Sequence, residues 1–175
     1  MNRRRALVAL GSNIAPERNL PAAVARLAGT PGIEVLKASG VYESPPLGRP
    51  GDPCFHNAAL LVETTLSPGA LREECRRVEA ALGRVRGADR YAPRPIDIDL
   101  AAFEGFEGEV EGSIVPDPEI LLRAFLALPL AEVAPDWVHP AADRTLAEVA
   151  AGFDPVVEQV RRLGAGLGVP SGPGF

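Results

Sequence analysis

Arginines and aspartates come together in one short segment of this sequence, residues 83–100. Four arginines are spaced along its first part, and they are Arg84, Arg86, Arg90 and Arg94. Asp97 and Asp99 follow at once, in the order Ile-Asp-Ile-Asp-Leu. Guanidinium groups bind phosphate oxygens, and carboxylates are ligands for magnesium. The segment therefore holds both kinds of group that a magnesium nucleotide requires.

The two aspartates are predicted to lie on one face of a β-strand. Side chains alternate along a strand, so Asp97 and Asp99 are about 6–7 Å apart on the same face. That spacing suits two hard cations, or one cation held from both sides. The same face continues with Ala101 and Phe103, which places the acidic pair at one end of the strand. The alternative is that the aspartates pair with the nearby arginines, in a loop that is simply solvated.

A second loop, residues 45–53, is rich in proline and glycine, and Phe55 and Asn57 follow it. A rigid turn, an aromatic ring and an amide can form a flat slot for a heterocycle. The alternative is that Phe55 lies in the core and Asn57 caps a strand edge.

The elements around these loops follow a simple order. Apolar runs predict strands at residues 5–10, 33–42, 56–65 and 96–103. Helical spacing predicts one helix over Leu20–Leu27, with Pro21 in its first turn, and a second helix from Ser67 to a stop at Gly83. The order β-α-β-β-α-β predicts an α+β fold of the ferredoxin-like type.

Additional helices are predicted beyond this core. Residues 120–133 are apolar and predict one or two helices interrupted at Pro129, and residues 146–150 predict a short helix. We expect one domain over residues 1–163 and a loose Gly/Pro-rich tail over 164–175.

Composition limits the partners of the protein. Lys and Arg number 18 against 23 Asp and Glu, and this net charge of −5 argues against nucleic-acid binding. No stretch is long enough for a membrane span or a signal peptide. Cys75 falls on an apolar helical stripe and, with Cys54, is expected to stay a free thiol, which fits a cytoplasmic protein. We expect a monomer.

Several motifs resemble one family. They are ALGSN, YESPPLG, FHNAALLVET, GRVR, RYAPRPIDIDL and VPDP, followed by Arg123 and Phe125. Together they resemble the 6-hydroxymethyl-7,8-dihydropterin pyrophosphokinase family of folate biosynthesis over about residues 7–135. The resemblance implies a ferredoxin-like fold and the transfer of pyrophosphate from ATP to the hydroxymethyl group of the pterin, with release of AMP.

The resemblance also implies roles for individual residues. The residues implied in catalysis are Arg84, Arg94, Asp97 and Asp99, of which Asp97 and Asp99 would bind two Mg²⁺ ions. Those implied in binding ATP are Arg84, Arg86, Arg90, Tyr91, Arg94, Ile98, Asp117 and Arg123. Those implied in binding the pterin are Ser44, Pro45, Leu47, Phe55, Asn57 and Phe125. Glu79 matches a family position near the loop.

Two positions depart from the family pattern. Tyr91 stands where the family usually has Trp, and Asp117 stands where it usually has His. An ionised Asp117 cannot donate a hydrogen bond to phosphate. It would either be turned away or neutralised by Arg123, or it would accept a backbone N–H at a helix start before Glu119.

Two other functions are compatible with such a fold. A ferredoxin-like sheet can bind single-stranded RNA on exposed aromatic rings, but only 5% of these residues are aromatic. A nucleotide-binding protein without turnover is the other alternative, because of Asp117.

Overall fold

The computed structural model describes residues 2–164 and 166–170. The strands are β1 Arg4–Ser12, β2 Ile33–Ala38, β3 Val41–Ser44, β4 Phe55–Thr64, β5 Asp97–Phe103, β6 Gly108–Val110, β7 Ser113–Val115, β8 Val138–His139, β9 Arg144–Thr145 and β10 Arg161–Leu163. The helices are α1 Pro16–Ala28, α2 Pro68–Ala81, α3 Ala124–Val133 and α4 Leu146–Ala151, with a 3₁₀ helix at Pro118–Leu121.

One antiparallel sheet carries the fold. Its strand order is β10-β3-β4-β1-β5, and β2 pairs with the half of β4 that β3 leaves open. The helices α1 and α2 follow β1 and β4, so the order up to β5 is β-α-β-β-β-α-β, which is the predicted order with its second strand divided into β2 and β3. In this order β5, the strand that begins with Asp97, lies at one edge of the sheet.

Each face of the sheet has its own apolar core. On one face Val8 and Leu60 pack with Leu20, Leu71 and other residues of α1 and α2. On the other face a second core joins the sheet to α3 and α4, and its members include Leu7, Ala59, Leu126, Leu130 and Leu146. Because the β1 side chains alternate between the two cores, this strand is buried on both faces.

The helix α2 forms as predicted. The Ser67 hydroxyl accepts a hydrogen bond from the Ala70 N–H, and Pro68 takes the first helical position. Gly83 follows the helix with a φ of 92°, a backbone conformation that favours glycine. Cys75 is buried on its apolar face, and burial raises the pKa of this thiol to about 12.

The predicted strand over residues 33–42 is wrong, because the chain breaks it into β2 and β3. At the break, the buried Ser39 hydroxyl accepts from the Ala59 N–H at 2.8 Å and donates to the Gly40 carbonyl at 2.7 Å. The Ser39 N–H still donates to the Ala59 carbonyl at 2.9 Å, so the side chain replaces one bond of the ladder and both strands pair with β4.

The two proline predictions are also wrong. The helix α1 begins at Pro16, so Pro21 lies inside it and not in its first turn. Pro129 lies inside α3, and the interruption comes earlier, between the 3₁₀ helix and Ala124. Each proline removes one helical hydrogen bond, and the burial of Leu126, Leu130 and Val133 offsets this loss in α3.

The expectation that Phe103 shares a face with the two aspartates is wrong as well. Leu7 pairs with Ala102 and Val8 with Leu100, so one extra residue bulges out of β5. A bulge reverses the alternation of side chains. Phe103 therefore packs in the core of α1 and α2, whereas Ala101 stays on the face of α3.

The C-terminal region contacts the body of the fold. The strand β10 pairs with β3, and the Leu167 N–H donates to the Ser39 carbonyl at 3.2 Å. Of the predicted tail, residues 165 and 171–175 lie outside the described residues, and a boundary at residue 163 stays a prediction. Within the described part of the chain, no helix combines the length and apolar character that a membrane crossing requires.

Candidate active site

A cavity of about 340 Å³ opens where β5 begins, between the sheet and α3. All six residues predicted to bind a heterocycle line this cavity, and they are Ser44, Pro45, Leu47, Phe55, Asn57 and Phe125. Six of the predicted phosphate and metal residues line it too, namely Arg90, Tyr91, Arg94, Asp97, Asp99 and Asp117. The structure therefore brings the two predicted halves of the site into one space.

Strand register sets the floor of the cavity. Asp97 lies opposite Gly11 on β1, and Gly11 lies opposite Asn57 on β4. Adjacent strands are about 4.8 Å apart, so the Asp97 and Asn57 backbones are separated by about 10 Å. Asp99 lies opposite Ala9, and small residues at positions 9 and 11 leave room above the sheet. Asp97 and Asn57 thus occupy the two ends of one row across the sheet, and Asp99 lies in the neighbouring row on the same face.

Asp99 is held among other carboxyl groups. Burial, and after it the negative charges of Asp97 and Glu79, raise the pKa of Asp99 to about 7. Arg72 lies 3.9 Å from one of its oxygens and acts in the opposite direction. Nearly half of the Asp99 side chain, 47%, remains accessible, and it faces the cavity. This concentration of carboxylates favours a bound cation.

Glu79 links α2 to β5 and to the arginine loop. Its carboxylate is fully buried, and it accepts hydrogen bonds from the Ile98 N–H and from Arg86, each at 2.7 Å. Burial raises the pKa of Glu79, although both hydrogen bonds favour the ionised form. Glu79 thus fixes the start of β5, where Asp97 and Asp99 lie.

Arg94 occupies the centre of the site. Its guanidinium donates to the Asp97 carboxylate at 3.1 Å and lies 5.8 Å from the centre of the Phe55 ring. Its backbone N–H donates to the Asn13 side chain at 2.7 Å, and its carbonyl accepts from the Asn13 N–H. Asn13 therefore holds the end of the arginine loop against the end of β1.

The other arginines of the loop lie around this centre. The Arg84 guanidinium is partly buried near Asp97 and Arg94, and burial lowers the pKa of Arg84. Its Nε is buried, and none of the described residues accepts a hydrogen bond from it. Arg86 is tied to Glu79, and Arg90 lies over the Tyr91 ring.

The two loops of the site contact each other. Arg49 forms an ion pair with Asp89, and the Tyr91 ring lies against Gly48. Gly48 has a φ of 82°, and a Cβ there would come within 3.0 Å of the ring, so both the backbone and the contact require glycine. Tyr91 therefore joins the arginine loop to the proline loop.

The Asn57 amide is oriented by β3. Its Nδ2 donates to the Ser44 hydroxyl at 2.8 Å and to the Tyr42 carbonyl at 3.1 Å. Since the amide N–H groups are used, the carbonyl Oδ1 is the Asn57 atom left to face a ligand, as an acceptor. Phe55 from β4 and Phe125 from α3 add two rings to the walls of the same cavity.

The structure shows which of the alternative environments predicted for Asp117 occurs. Its carboxylate accepts from the Glu119 N–H at 2.9 Å, as the N-cap of the 3₁₀ helix. Burial raises the pKa of Asp117, and the hydrogen bond from Glu119 opposes that effect. Among the ion pairs of residues 2–164 and 166–170, none joins Asp117 to Arg123.

Four of the predicted site residues do not line the cavity. Arg84 lies close to Arg94 and Glu79, and Arg86 is hydrogen-bonded to Glu79. Arg123 is exposed at the start of α3. The Ile98 side chain is buried in the core of α1 and α2, so only its backbone can contact a nucleotide.

The sequence reasoning missed several residues of this region. Ala9, Gly11, Glu119 and Leu126 line the cavity, and Asn13 anchors Arg94. The Gly-Ser-Asn turn after β1 is the signal that could have identified Asn13, because such turns often end in a side-chain hydrogen bond.

Comparison with known proteins gives a consistent result. The sequence model of the family described as 7,8-dihydro-6-hydroxymethylpterin-pyrophosphokinase matches residues 7–135. A 2-amino-4-hydroxy-6-hydroxymethyldihydropteridine pyrophosphokinase of Methylorubrum extorquens is 45% identical over 152 residues, which are 86% of this chain and 94% of that protein. The protein of the same name from Bacillus subtilis is 40% identical over 129 residues, 73% of this chain and 77% of that protein.

Solved structures show the same fold. Plasmodium falciparum HPPK-DHPS with pteroate matches 92% of this chain with a TM-score of 0.70 and 12% identity. The same protein with pterin and p-hydroxybenzoate matches 93% with a TM-score of 0.69. This chain spans 46% and 45% of those two chains, which is less than half of each. The likeness confirms the ferredoxin-like prediction.

Proposed function

This chain belongs to the 7,8-dihydro-6-hydroxymethylpterin-pyrophosphokinase family, and from that membership we propose how its own residues carry out the reaction. The family resemblance of the motifs is thereby confirmed. The protein is a pyrophosphokinase of folate biosynthesis, and it transfers pyrophosphate to the hydroxymethyl group of hydroxymethyldihydropterin. We propose that ATP is the donor, that the transfer requires magnesium, and that AMP is released.

The shared cavity carries this proposal. Asp97 lies at one end of a row of the sheet, with Asp99 and Arg94 beside it, and Asn57 lies at the other end of that row, about 10 Å away. This separation lets one cavity hold a triphosphate beside a bicyclic ring. The hydroxymethyl oxygen then attacks the β-phosphorus, the bond from that phosphorus to the bridging oxygen of AMP breaks, and the hydroxyl proton is released.

Asp97 and Asp99 are proposed to bind two Mg²⁺ ions together with ATP. Carboxylate oxygens suit this hard cation, and the raised pKa of Asp99 fits a site short of positive charge. In the described part of the chain, no three His, Cys, Asp or Glu side chains are arranged to hold a metal. This agrees with magnesium sites in which substrate phosphates supply further ligands. Bound magnesium would orient the triphosphate and neutralise its charge.

The arginines are proposed to act on the triphosphate. Arg94 is held by Asn13 and Asp97, so its guanidinium needs little reorganisation when a phosphate arrives. Arg84 and Arg90 lie close to Arg94, Arg86 pairs with Glu79, and Arg123 is exposed at the start of α3. All four are proposed to contact the nucleotide, with Tyr91, the Ile98 backbone and the Asp117 segment. Positioning and charge stabilisation supply most of the catalysis of phosphoryl transfer.

The other end of the cavity is proposed to bind the pterin. Phe55 and Phe125 provide rings for stacking, and the Asn57 Oδ1 accepts hydrogen bonds from the N–H groups of the heterocycle. Ser44, Pro45 and Leu47 close the side of the slot. We further propose a cytoplasmic monomer.

A coupled assay tests the proposal. AMP release is measured with MgATP and 6-hydroxymethyl-7,8-dihydropterin, for the parent and for Asp97→Asn and Asp99→Asn. Each variant is expected to lose turnover by far more than tenfold, which is about 1.4 kcal/mol in the barrier. Asp136→Asn is the control, because Asp136 lines a second cavity beside Arg5 and Phe103, at the opposite ends of β1 and β5.

Two results would contradict the proposal. Turnover of both aspartate variants within about tenfold of the parent would remove the metal role of these residues. AMP release that does not require the pterin, or pterin and nucleotide binding without AMP release, would show that the proposed transfer does not occur.

A further inference from the structure

The helix α2 buries two charged side chains on the side that faces the sheet. They are Arg72 and Glu79, two turns apart, and therefore on the same face of the helix. The other buried residues of this helix are Leu71, Cys75 and Val78. Glu79 has a clear role, because it holds the Ile98 N–H at the start of β5. Arg72 requires a separate explanation.

Arg72 reaches Asp99 past the edge of the sheet. The helix α2 and Ile98 lie on one face, whereas Asp99 faces the cavity on the other. Because β5 is the edge strand, a long side chain from α2 can pass beside it. The Arg72 Nη1 lies 3.9 Å from the Asp99 Oδ1, and the Arg72 side chain is only 9% exposed.

This burial is unfavourable for stability. The Arg72 Nε is buried, and no described residue accepts a hydrogen bond from it. A buried guanidinium that is incompletely paired costs free energy, and an apolar side chain at such a position is often neutral or stabilising. The position of Arg72 on a buried face that is apolar except for Glu79 is therefore better explained by its effect on Asp99 than by its contribution to the core.

We propose that Arg72 is a positioning residue: it holds one oxygen of Asp99 so that the carboxylate is oriented for the metal–nucleotide complex. This inference rests on the proposed role of Asp99 as a metal ligand. Groups that orient a metal ligand from outside the coordination sphere commonly affect metal affinity as strongly as activity. The positioning role predicts a change in cation affinity that is opposite in sign to the purely electrostatic effect. The loss of a nearby positive charge would by itself tighten cation binding, whereas the loss of orientation weakens it.

The experiment compares Arg72→Leu with the parent. The binding of Mn²⁺, as a spectroscopic substitute for Mg²⁺, is titrated in the presence of a non-hydrolysable ATP analogue, and melting is recorded without ligand. We expect Mn²⁺ affinity to fall about tenfold, with the melting temperature unchanged or raised. Arg76→Leu is the matched control, since Arg76 lies on the same helix and pairs with the exposed Glu111. Its Mn²⁺ affinity should equal that of the parent.

Two further variants separate the possible outcomes. Arg72→Lys keeps the charge and should bind Mn²⁺ with most of the parent's affinity. Arg72→Gln should behave like Arg72→Leu. If Arg72→Leu does not fold, Arg72→Gln is used in its place. Unchanged or tighter Mn²⁺ binding in the neutral variants would overturn the inference. So would a loss of affinity in Arg76→Leu as large as that in Arg72→Leu.

The Asp99→Asn variant distinguishes this inference from the proposed function. If Asp99→Asn binds Mn²⁺ as the parent does, the metal role of Asp99 itself fails. If Asp99→Asn loses affinity but Arg72→Leu does not, only the positioning role fails. If both hold, the Arg72→Leu effect should disappear in the Asp99→Asn background, because coupled residues are not additive.

Discussion

At the residue scale, the Asp99 carboxyl group gives the site a dependence on pH. Its pKa is about 7, against an ordinary value of 3.8, and burial is the main cause. The folded chain therefore binds this proton more tightly than the unfolded chain does. The corresponding stabilisation is fully present below about pH 4 and is lost as the pH rises through about 7.

The Asp99→Asn variant should remove this dependence. In urea unfolding without metal, we expect the variant to gain stability relative to the parent as the pH rises from 5 to 8, because an amide does not ionise. Asp136→Asn, whose side chain is outside the site, should follow the parent. If the difference in unfolding free energy between Asp99→Asn and the parent is the same at pH 5 and pH 8, the raised pKa of Asp99 is contradicted.

Asp117 shows that a residue lining the proposed nucleotide site can have a structural role. Its carboxylate caps the 3₁₀ helix through the Glu119 N–H. We expect Asp117→Ala to lose about 0.5–1 kcal/mol of stability, and Asp117→Asn to lose little, because Asn caps as well as Asp. Urea unfolding of both variants measures this difference. Equal stability of Asp117→Ala and the parent, with tighter ATP binding in both variants, would show that charge repulsion matters and the cap does not.

At the element scale, the loop between α2 and β5 is fixed at its end by Arg94. The guanidinium contacts Asp97, which is proposed to lie on the phosphate side, and the Phe55 ring, which is proposed to bind the pterin. We expect Arg94→Ala to raise the barrier by about 3 kcal/mol, the typical cost of losing one transition-state donor. The pterin dissociation constant should rise by less, at most about thirtyfold, because the Arg94 side chain is only 14% exposed and a desolvated cation–ring contact contributes about 2 kcal/mol.

The measurement is kcat together with pterin binding in the presence of an ATP analogue. Arg77→Ala is the control, because the exposed Arg77 on α2 pairs with Glu73 and Glu74 and is not among the residues that line the cavity. An unchanged kcat with a large loss of pterin affinity would place Arg94 in the pterin slot instead.

The sequence predicted some elements well because their signals are local. The cap at Ser67, the alternation of Asp97 with Ile98 and Asp99, and the stop at Gly83 depend on neighbouring residues only. The bulge that turns Phe103 to the other face is not local, because it arises from pairing with β1. The position of Pro129 inside α3 likewise depends on the core that this helix covers.

At the scale of the whole molecule, strand order explains the contacts that the sequence did not reveal. Arg72 meets Asp99 because β5 is the edge strand, and no periodic pattern encodes which strand lies at an edge. Asn13 meets Arg94 because the end of β1 lies beside the start of β5. In contrast, the residues that form the two halves of the cavity were predicted from their motifs, although their roles in binding stay predictions.

The C-terminal strand joins α3 to the end of the cavity that is proposed to bind the pterin. Glu132 on α3 accepts hydrogen bonds from Arg162 on β10, from the Tyr42 hydroxyl on β3 and from the Gly40 N–H. The hydrogen bond from Arg162 is the largest of the effects that lower the pKa of Glu132 to about 2. The Tyr42 carbonyl in turn accepts from the Asn57 amide. This network therefore connects three elements to the residue proposed to recognise the pterin.

Arg162→Ala should loosen this connection. We expect a lower melting temperature and weaker pterin binding, with ATP-analogue affinity unchanged, because Asp97 and Arg94 lie at the other end of the row. Arg161→Ala is the matched control, since Arg161 lies on the same strand but pairs with Glu43 and does not contact α3. Calorimetric titration of both ligands, with a melt of each variant, separates the outcomes. Equal losses of pterin and ATP affinity in Arg162→Ala would indicate a general loss of structure. Identical behaviour of Arg162→Ala and Arg161→Ala would show that the contact between Arg162 and Glu132 on α3 has no specific role.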